Sequence, residues 1–522
     1  MIKSFLLLVL TGVLLISCKQ KEANHDLKKE GISVWSDSVY REPYRPQFHF
    51  SPKSGWMNDP NGLVYNKGIY HLFYQYYPDS TVWGPMHWGH AVSKDLIRWQ
   101  HKPVALFPDE LGYIFSGSAV VDNNNTSGFG TAGNPPLVAV FTYHLMEGEK
   151  AGRNDFQTQG MAYSLDNGDT WTKYKDNPVI KNPGIRDFRD PKVFWDEDNK
   201  QWILVLVAGD HAQFYRSNNL KEWQLLSVFG KEQGSHAGVW ECPDLFKLKV
   251  EGSDEDKWVL LVSINPGGPN GGSGTQYFVG DFDGKTFKSD QKQIKWVDYG
   301  ADNYAGVTYN NTPDGERIFI GWMSNWNYAQ KTPTEKWRSA MTLPRKLTLV
   351  KDKEDYFLQS RVVKSFDSLA KTIFEKDTVD LITPFELDHR DFSQSEVRFN
   401  LNLDEPVNIR FLSGSDEEIL VAINPMERTI TLDRRRSGRI HFEARFADSI
   451  HIMPFEPTNN RMDVQILLDR SSVEIFMDSG RYVMTEQLFP SVDYSDLRIT
   501  SSGKSYLTNF KLNKIKSIWN EK

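Results

Sequence analysis

The chain has 522 residues, of which 39% are hydrophobic, 13% aromatic and 25% charged, with a formal net charge of -7. That length exceeds one typical core and implies two domains, while the mildly acidic balance, with no basic stripe, excludes a nucleic-acid footprint. The 16 Trp and 21 Tyr suit stacking on sugars or building a many-stranded β core.

The first element is a targeting segment. Lys3 supplies a positive start, and Phe5 to Ile16 form an apolar run of signal-peptide length, too short for a spanning helix. Leu15-Ile16-Ser17-Cys18 resembles a bacterial lipobox, so residues 1–18 read as a lipoprotein signal peptide with lipid attachment at Cys18. An ordinary cleaved signal peptide is the alternative. The protein is then an exported, membrane-anchored lipoprotein on the periplasmic or cell-surface side, touching the membrane through Cys18 only. Cys242 is the other cysteine, so lipidation of Cys18 leaves no intramolecular disulfide. Residues 19–45, rich in Lys, Glu, Asp and Ser, read as a polar tether.

From residue 46 to about 350, short apolar-aromatic runs such as Ile69–Tyr74, Leu137–Thr142, Trp202–Val207 and Trp258–Val262 alternate with Gly/Asp/Asn/Pro turns. Few stretches hold a helical period, so this is an all-β domain. A weak repeat runs through it: Ser93-Lys94-Asp95 before Trp99, Ser164-Leu165-Asp166 before Trp171, Ser217-Asn218-Asn219 before Trp223, and Asp281-Phe282-Asp283 before Phe287. The aromatics lie 72, 52 and 64 residues apart, each interval long enough for a four-stranded blade. Five blades fit, and a five-bladed β-propeller brings distant residues to one axial funnel. Residues 351–376 read as a charged linker. From 377 to 516, alternating strands such as Val397–Leu401, Asn408–Leu412, Thr429–Leu432 and Ser472–Met477 predict a C-terminal β-sandwich without a catalytic constellation. Arg434-Arg435-Arg436 reads as a solvated hairpin.

Three acidic sites carry the chemistry. Asp59, within Trp56-Met57-Asn58-Asp59-Pro60-Asn61-Gly62, sits between turn dipeptides with Asn58 beside it, either as an Asx-turn or as a nucleophile. Asp190 precedes Pro191, which predicts extended backbone, and Arg189 alongside predicts a lowered pKa suited to holding substrate or stabilising positive charge. Glu241 has apolar flanks in Val239 and Leu245-Phe246, which predict a raised pKa suited to a general acid. Cys242 has no activating His near it, which argues against a catalytic thiol. His87 and His90 lack further metal-ligand spacing, so no metal and no cofactor is expected. Pro266 to Gly274 lacks a phosphate-loop signature and reads as a rim loop.

Together, Trp-Met-Asn-Asp-Pro-Asn-Gly at 56–62, Arg-Asp-Pro at 189–191 and Glu-Cys-Pro at 241–243 resemble the three signature motifs of glycoside hydrolase family 32, the β-fructosidases. Phe115-Ser116-Gly117-Ser118, Trp83-Gly84, Trp88-Gly89-His90, Gly321-Trp322-Met323 and Leu468 to Phe476 agree with it. The resemblance implies a five-bladed propeller followed by a sandwich and retention of anomeric configuration. Asp59 would then be the nucleophile, Glu241 the acid/base, and Asp190 the residue holding fructosyl hydroxyls. Asn58, Gln75, Trp83, Phe115, Ser116, Arg189, Trp322, Asp302 and Tyr304 would bind substrate, and Cys242 would tune Glu241. The expected activity is exo-hydrolysis of levan, inulin, fructo-oligosaccharides and sucrose, with no obligate protein partner. The alternatives are an endo-levanase of the same family, an Asp-box sialidase and a non-catalytic glycan-binding lipoprotein.

Overall fold

The computed structural model describes residues 39–131, 133–388, 392–414, 416–457 and 459–519; the expected signal peptide and Cys18 lie outside them. Five sheets, each built on four antiparallel strands, are followed by two six-stranded sheets. The first strands of the five sheets are Gly55–Asn66, Tyr113–Val121, Phe188–Asp196, Val239–Lys249 and Tyr304–Thr308. They neighbour one another in a ring around the axis. Each second strand is sandwiched between neighbouring blades, so Leu137–His144 and Gln201–Ala208 are buried along their whole length. That double burial is why they read as unbroken apolar runs, as strands covered on both faces do.

Blade 5 closes the ring. Trp337–Arg338 pairs in parallel with Gly55–Trp56, and Asn310 exchanges backbone hydrogen bonds with Leu63 and Tyr65, each at 3.0 Å. The Asn310 side chain also donates to the Ala119 and Val193 carbonyls at 2.8 and 3.0 Å. Beside it, the buried Lys192 ammonium meets Asp244 at 3.0 Å, and Asp244 also accepts from the Thr308 hydroxyl at 2.8 Å. These groups fill one end of the axis with paired polar atoms, as burial of charge requires, and leave the other end open.

The repeated Ser/Asp-to-aromatic segment is the turn between the third and fourth strands of blades 1 to 4. Asp95 Oδ1 accepts the Ile97 and Arg98 amides at 3.0 and 2.8 Å, Asp166 the Thr170 amide at 2.9 Å, Asn219 the Lys221 and Glu222 amides at 3.0 Å, and Asp283 the Lys285 and Thr286 amides at 2.9 and 2.7 Å. A short acceptor side chain capping its own turn explains the recurrence.

Two boundaries differ from the sequence reading. Residues 351–376 are not a linker: Arg345–Asp352 and Asp355–Val362 form the outer hairpin of blade 5, and Ala370–Asp380 is already a sandwich strand. The charges of the segment sit on the exposed outer edge of that blade, which is why its composition resembled a linker. The tether does not extend to residue 45. Tyr40 stacks on Trp519 at 3.9 Å between ring centroids, and Arg45, fully buried, pairs with Glu42 at 2.8 Å beneath Trp337.

The sandwich strands alternate as one-sided strands should. Val407–Leu412 and Glu418–Asn424 bury every second residue in a core with Val421, Phe411, Ile466 and Ile475. The interface with the propeller carries a buried ion network. Arg345 meets Glu474 at 3.0 Å and Asp298 at 2.9 Å, and His49 meets Asp469 at 2.8 Å and Glu474 at 3.2 Å. Arg434 is not solvated with Arg435 and Arg436; it is buried, 2.6 Å from Asp302 and 2.9 Å from Glu486. The Gly-rich loop leads toward the sandwich, where Asn270 accepts the Ile452 amide at 2.9 Å. Within that loop Gly272 has a φ of +66°, and an added Cβ would sit 2.2 Å from Asn325 Oδ1.

Candidate active site

All five axial strands carry a β-bulge near the open end of the ring. The register slips by one residue between Met57 and Pro60, Ile114 and Gly117, Arg189 and Lys192, Glu241 and Asp244, and Tyr304 and Val307. The residues in or beside the slips are Asn58, Asp59, Phe115, Ser116, Arg189, Asp190, Glu241, Cys242 and Tyr304. A bulge re-aims a side chain that regular alternation would send elsewhere. Asp190, Cys242 and Ala305 accordingly have φ of 63°, 46° and 53°. Asp190 is therefore not in the extended conformation expected before a proline; the bulge overrides the local preference.

The bulges gather the three carboxylates around one cavity of about 270 Å³. Asp59 is held at both oxygens: Asn58 Nδ2 donates to Oδ1 at 3.0 Å and Ser116 Oγ to Oδ2 at 2.6 Å. Asn58 is oriented in turn by Trp56 Nε1, 2.7 Å from its Oδ1. Cys242 bridges the two aspartates. Its amide donates to Asp190 Oδ2 at 3.0 Å, and its Sγ lies 3.6 Å from that oxygen and 3.5 Å from Asp59 Oδ2. The thiol contacts Asp59 and Asp190, whereas the motif had implied that Cys242 tunes Glu241. Glu241 accepts at Oε1 from Arg189 Nε and Nη2, at 3.2 and 2.9 Å, and at Oε2 from the Tyr304 hydroxyl.

Burial acts on each of these groups. It pushes the Asp59 carboxyl up, the charge of Glu241 pushes it further, and the bonds from Ser116, Asn58 and Cys242 oppose both. For Asp190 burial is again the first cause; Arg189 opposes it, Glu241 and Asp59 add to it, and the result stands at about 7. This reverses the lowered value expected from the Arg189 neighbour. The guanidinium spends its donors on Glu241 and, at 2.7 Å, on Asp187, and stays 3.8 Å from Asp190. Burial pulls Arg189 down, but Glu241, Asp190 and Asp187 outweigh it and hold it charged. The Cys242 thiol is pushed well up by burial, then by the surrounding carboxylates, so it stays protonated. Tyr304 is likewise raised by burial and by Glu241. Glu241 itself meets a guanidinium and a phenol; the apolar neighbours in its sequence, Leu245 and Phe246, point into two separate cores.

Gln75, Trp83, Phe115, Ser116 and Arg189 line the cavity as expected. Phe115 lies flat on His144 at 4.2 Å between ring centroids, and Gln75 is fixed by donating to the Ile114 carbonyl at 3.0 Å. Trp322, Asp302 and Tyr304 do not line it, although the Tyr304 hydroxyl bonds Glu241. Trp322 is fully buried, 4.9 Å beneath Trp326, and Trp326 supplies the wall. Asp302 belongs to the domain interface through Arg434 and a 2.7 Å bond from Tyr328. The sequence reading missed His144, Glu149, Gln157, Asp187, Trp326 and Gln330. Asp187 lies two residues before the Arg-Asp-Pro motif at 189–191; the others had no local signal. Among the described residues, no group of three or more His, Cys, Asp or Glu is placed to hold a metal. His87 donates through Nδ1 to the Pro85 carbonyl at 2.8 Å, and His90 faces His71 at 3.1 Å.

The chain is similar to known proteins over most of its length. The glycosyl hydrolases family 32 N-terminal domain matches residues 49–360 and the family 32 C-terminal domain residues 357–516. A levanase of Bacillus subtilis (strain 168) is 45% identical over 497 residues, covering 92% of this chain and 72% of the relative. An extracellular exo-inulinase of Aspergillus niger is 41% identical, covering 92% and 96%. The crystal structure of the Aspergillus awamori exo-inulinase superposes with a TM-score of 0.85 at 38% identity, covering 92% of this chain and all of that one. A β-fructofuranosidase from Schwanniomyces occidentalis, solved with fructosyl-erythritol, gives 0.82 at 32% identity, covering 93% and 100%.

Proposed function

The chain belongs to glycoside hydrolase family 32, and from that membership we propose that it is a retaining, exo-acting β-fructosidase releasing terminal fructosyl units from levan or inulin, from fructo-oligosaccharides and from sucrose. The observation that carries the reading is the convergence of Asp59, Asp190 and Glu241 on one cavity. A binding protein has no use for a nucleophile and an acid placed together.

Asp59, oriented at both oxygens, attacks the anomeric carbon, while Glu241 protonates the departing glycosidic oxygen. The carbon–oxygen bond to the leaving sugar breaks as the ester to Asp59 forms. Glu241, now a carboxylate, then takes a proton from water, whose oxygen displaces Asp59 and releases fructose. Asp190 holds fructosyl hydroxyls and faces the oxocarbenium-like charge of both transition states. Exo action is supported by the shape of the site: the axial end opposite the mouth is filled by Lys192, Asp244, Thr308 and Asn310. A chain end can enter, but a chain cannot run through along the axis.

Asp59→Ala and Glu241→Ala should each abolish fructose release with the far-UV circular dichroism unchanged; full activity in either overturns the assignment. Time courses on levan, inulin and sucrose should give fructose from the first sample, with the β-anomer formed first by NMR. Early oligosaccharides would indicate the endo-acting alternative. Lys3, the apolar run and Cys18 support export with lipid attachment. Loss of membrane association in a Cys18→Ser variant tests that part.

A further inference from the structure

From Trp83 on the cavity wall, an aromatic ridge runs over the open face of blades 1 and 2. Trp83, on the cavity wall, meets Tyr113 edge-on at 6.4 Å between ring centroids. The Tyr113 strand is seated beside the segment that carries His87, because the Ile114 amide donates to the Met86 carbonyl at 3.0 Å. His87 in turn meets Phe107 edge-on at 5.4 Å. Phe107 is 57% exposed, and Val82, next to Trp83 in sequence, is 39% exposed.

The ridge is held firmly. The His87 ring is pinned through Nδ1 to Pro85 O at 2.8 Å, and Lys173 ties down Phe107 by bonding its carbonyl and the Asp109 carboxylate. The exposed Phe107 ring rests against His87 and takes no part in a core. The rings of the ridge run outward from the catalytic mouth, and aromatic faces are what proteins offer to the C–H faces of sugars.

We propose that Trp83, Tyr113, His87 and Phe107 form a binding track for the fructosyl units of a polymeric fructan that lie outside the catalytic cavity. The proposal rests on the β-fructosidase reading. It makes the protein a polymer-processing enzyme: the cavity takes the chain end and the ridge steadies the chain behind it. Polymers would then be favoured through KM, with the chemical step unchanged.

The test compares the full-length protein with Phe107→Ala, Phe107→Tyr and His87→Ala/Phe107→Ala on high-molecular-weight levan, high-molecular-weight inulin and a fructosyl trisaccharide. With stacking at its usual strength, KM for at least one polymer should rise about threefold to tenfold in Phe107→Ala and further in the double variant. It should recover in Phe107→Tyr, while kcat and the trisaccharide KM stay within about twofold. Retardation of the protein in native gels containing that polymer should weaken in parallel. Polymer KM and gel retardation unchanged in all variants would overturn the track, as would equal losses on polymer and trisaccharide. Absence of hydrolysis of any of the three by the unaltered protein would instead overturn the β-fructosidase reading itself.

Discussion

Arg189 directs two donors, Nε and Nη2, at a single oxygen of Glu241, Oε1, at 3.2 and 2.9 Å. Its remaining nitrogen, Nη1, holds Asp187 at 2.7 Å. One planar guanidinium therefore fixes the acid/base candidate against the cavity wall, and a compact ammonium has no fork with which to replace it.

Arg189→Lys should lower kcat by about a hundredfold on any fructosyl substrate, the lower end of what a positioned acid/base contributes. Steady-state kinetics on sucrose check this, and a change confined to KM would mean that Arg189 only binds substrate.

Asp190 carries a pH-dependent cost. Its folded-state value of about 7 stands above the ordinary 3.8, so its contribution to stability is complete below about pH 4 and is lost as pH rises through 7. Asp190→Asn should therefore be inactive yet more stable than the wild type at about pH 8, by roughly 1–4 kcal/mol, with the gain fading toward pH 4. Urea midpoints at the two pH values decide it; an equal gain at both would refute the linkage.

His49 shifts in the same direction, over a higher pH window. Burial pulls it down, but the bonds and charges of Asp469 and Glu474 raise it from 6.5 to about 9. Its stabilisation is whole below about pH 6.5 and is lost as pH rises through 9. The margin of the wild type over His49→Gln should shrink by roughly 2–4 kcal/mol across that range, read from the same unfolding titrations.

Glu474→Gln removes one of the two carboxylates that pair Arg345 and one of the two that pair His49 in the domain interface. Removing one partner of a buried charge network typically costs about 3–5 kcal/mol. Calorimetry should show a large fall in Tm, and a variant with an unchanged Tm would mean that the network is energetically idle.

Cys242 is buried between two carboxylates with its thiol held protonated. Iodoacetamide at about pH 8 should leave the Cys242 peptide unmodified in the folded enzyme and alkylate it in denaturant, as mass spectrometry would report. Rapid inactivation with labelling of Cys242 would contradict the geometry.

The amino-acid sequence by itself determined the strand content, because double burial leaves unbroken apolar runs and single burial leaves alternation. It marked four of the five blades through turn-capping Asp and Asn residues, whose bonds reach only a few residues along the chain. It also marked Asp59, Asp190 and Glu241, with Asn58 and Ser116 in flanking motifs. The tertiary structure decided everything that depends on partners brought together by ring closure. Arg189 chose Glu241, 52 residues away, over its neighbour Asp190, and Asp302 chose Arg434, 132 residues away, over the cavity. Trp326 took the wall expected of Trp322, and a charged segment read as a linker became the edge of blade 5. The five register slips turned Asp59, Ser116 and Asp190 toward one point. A bulge is a disagreement between two strands over how many residues they pair, so neither strand's sequence records it.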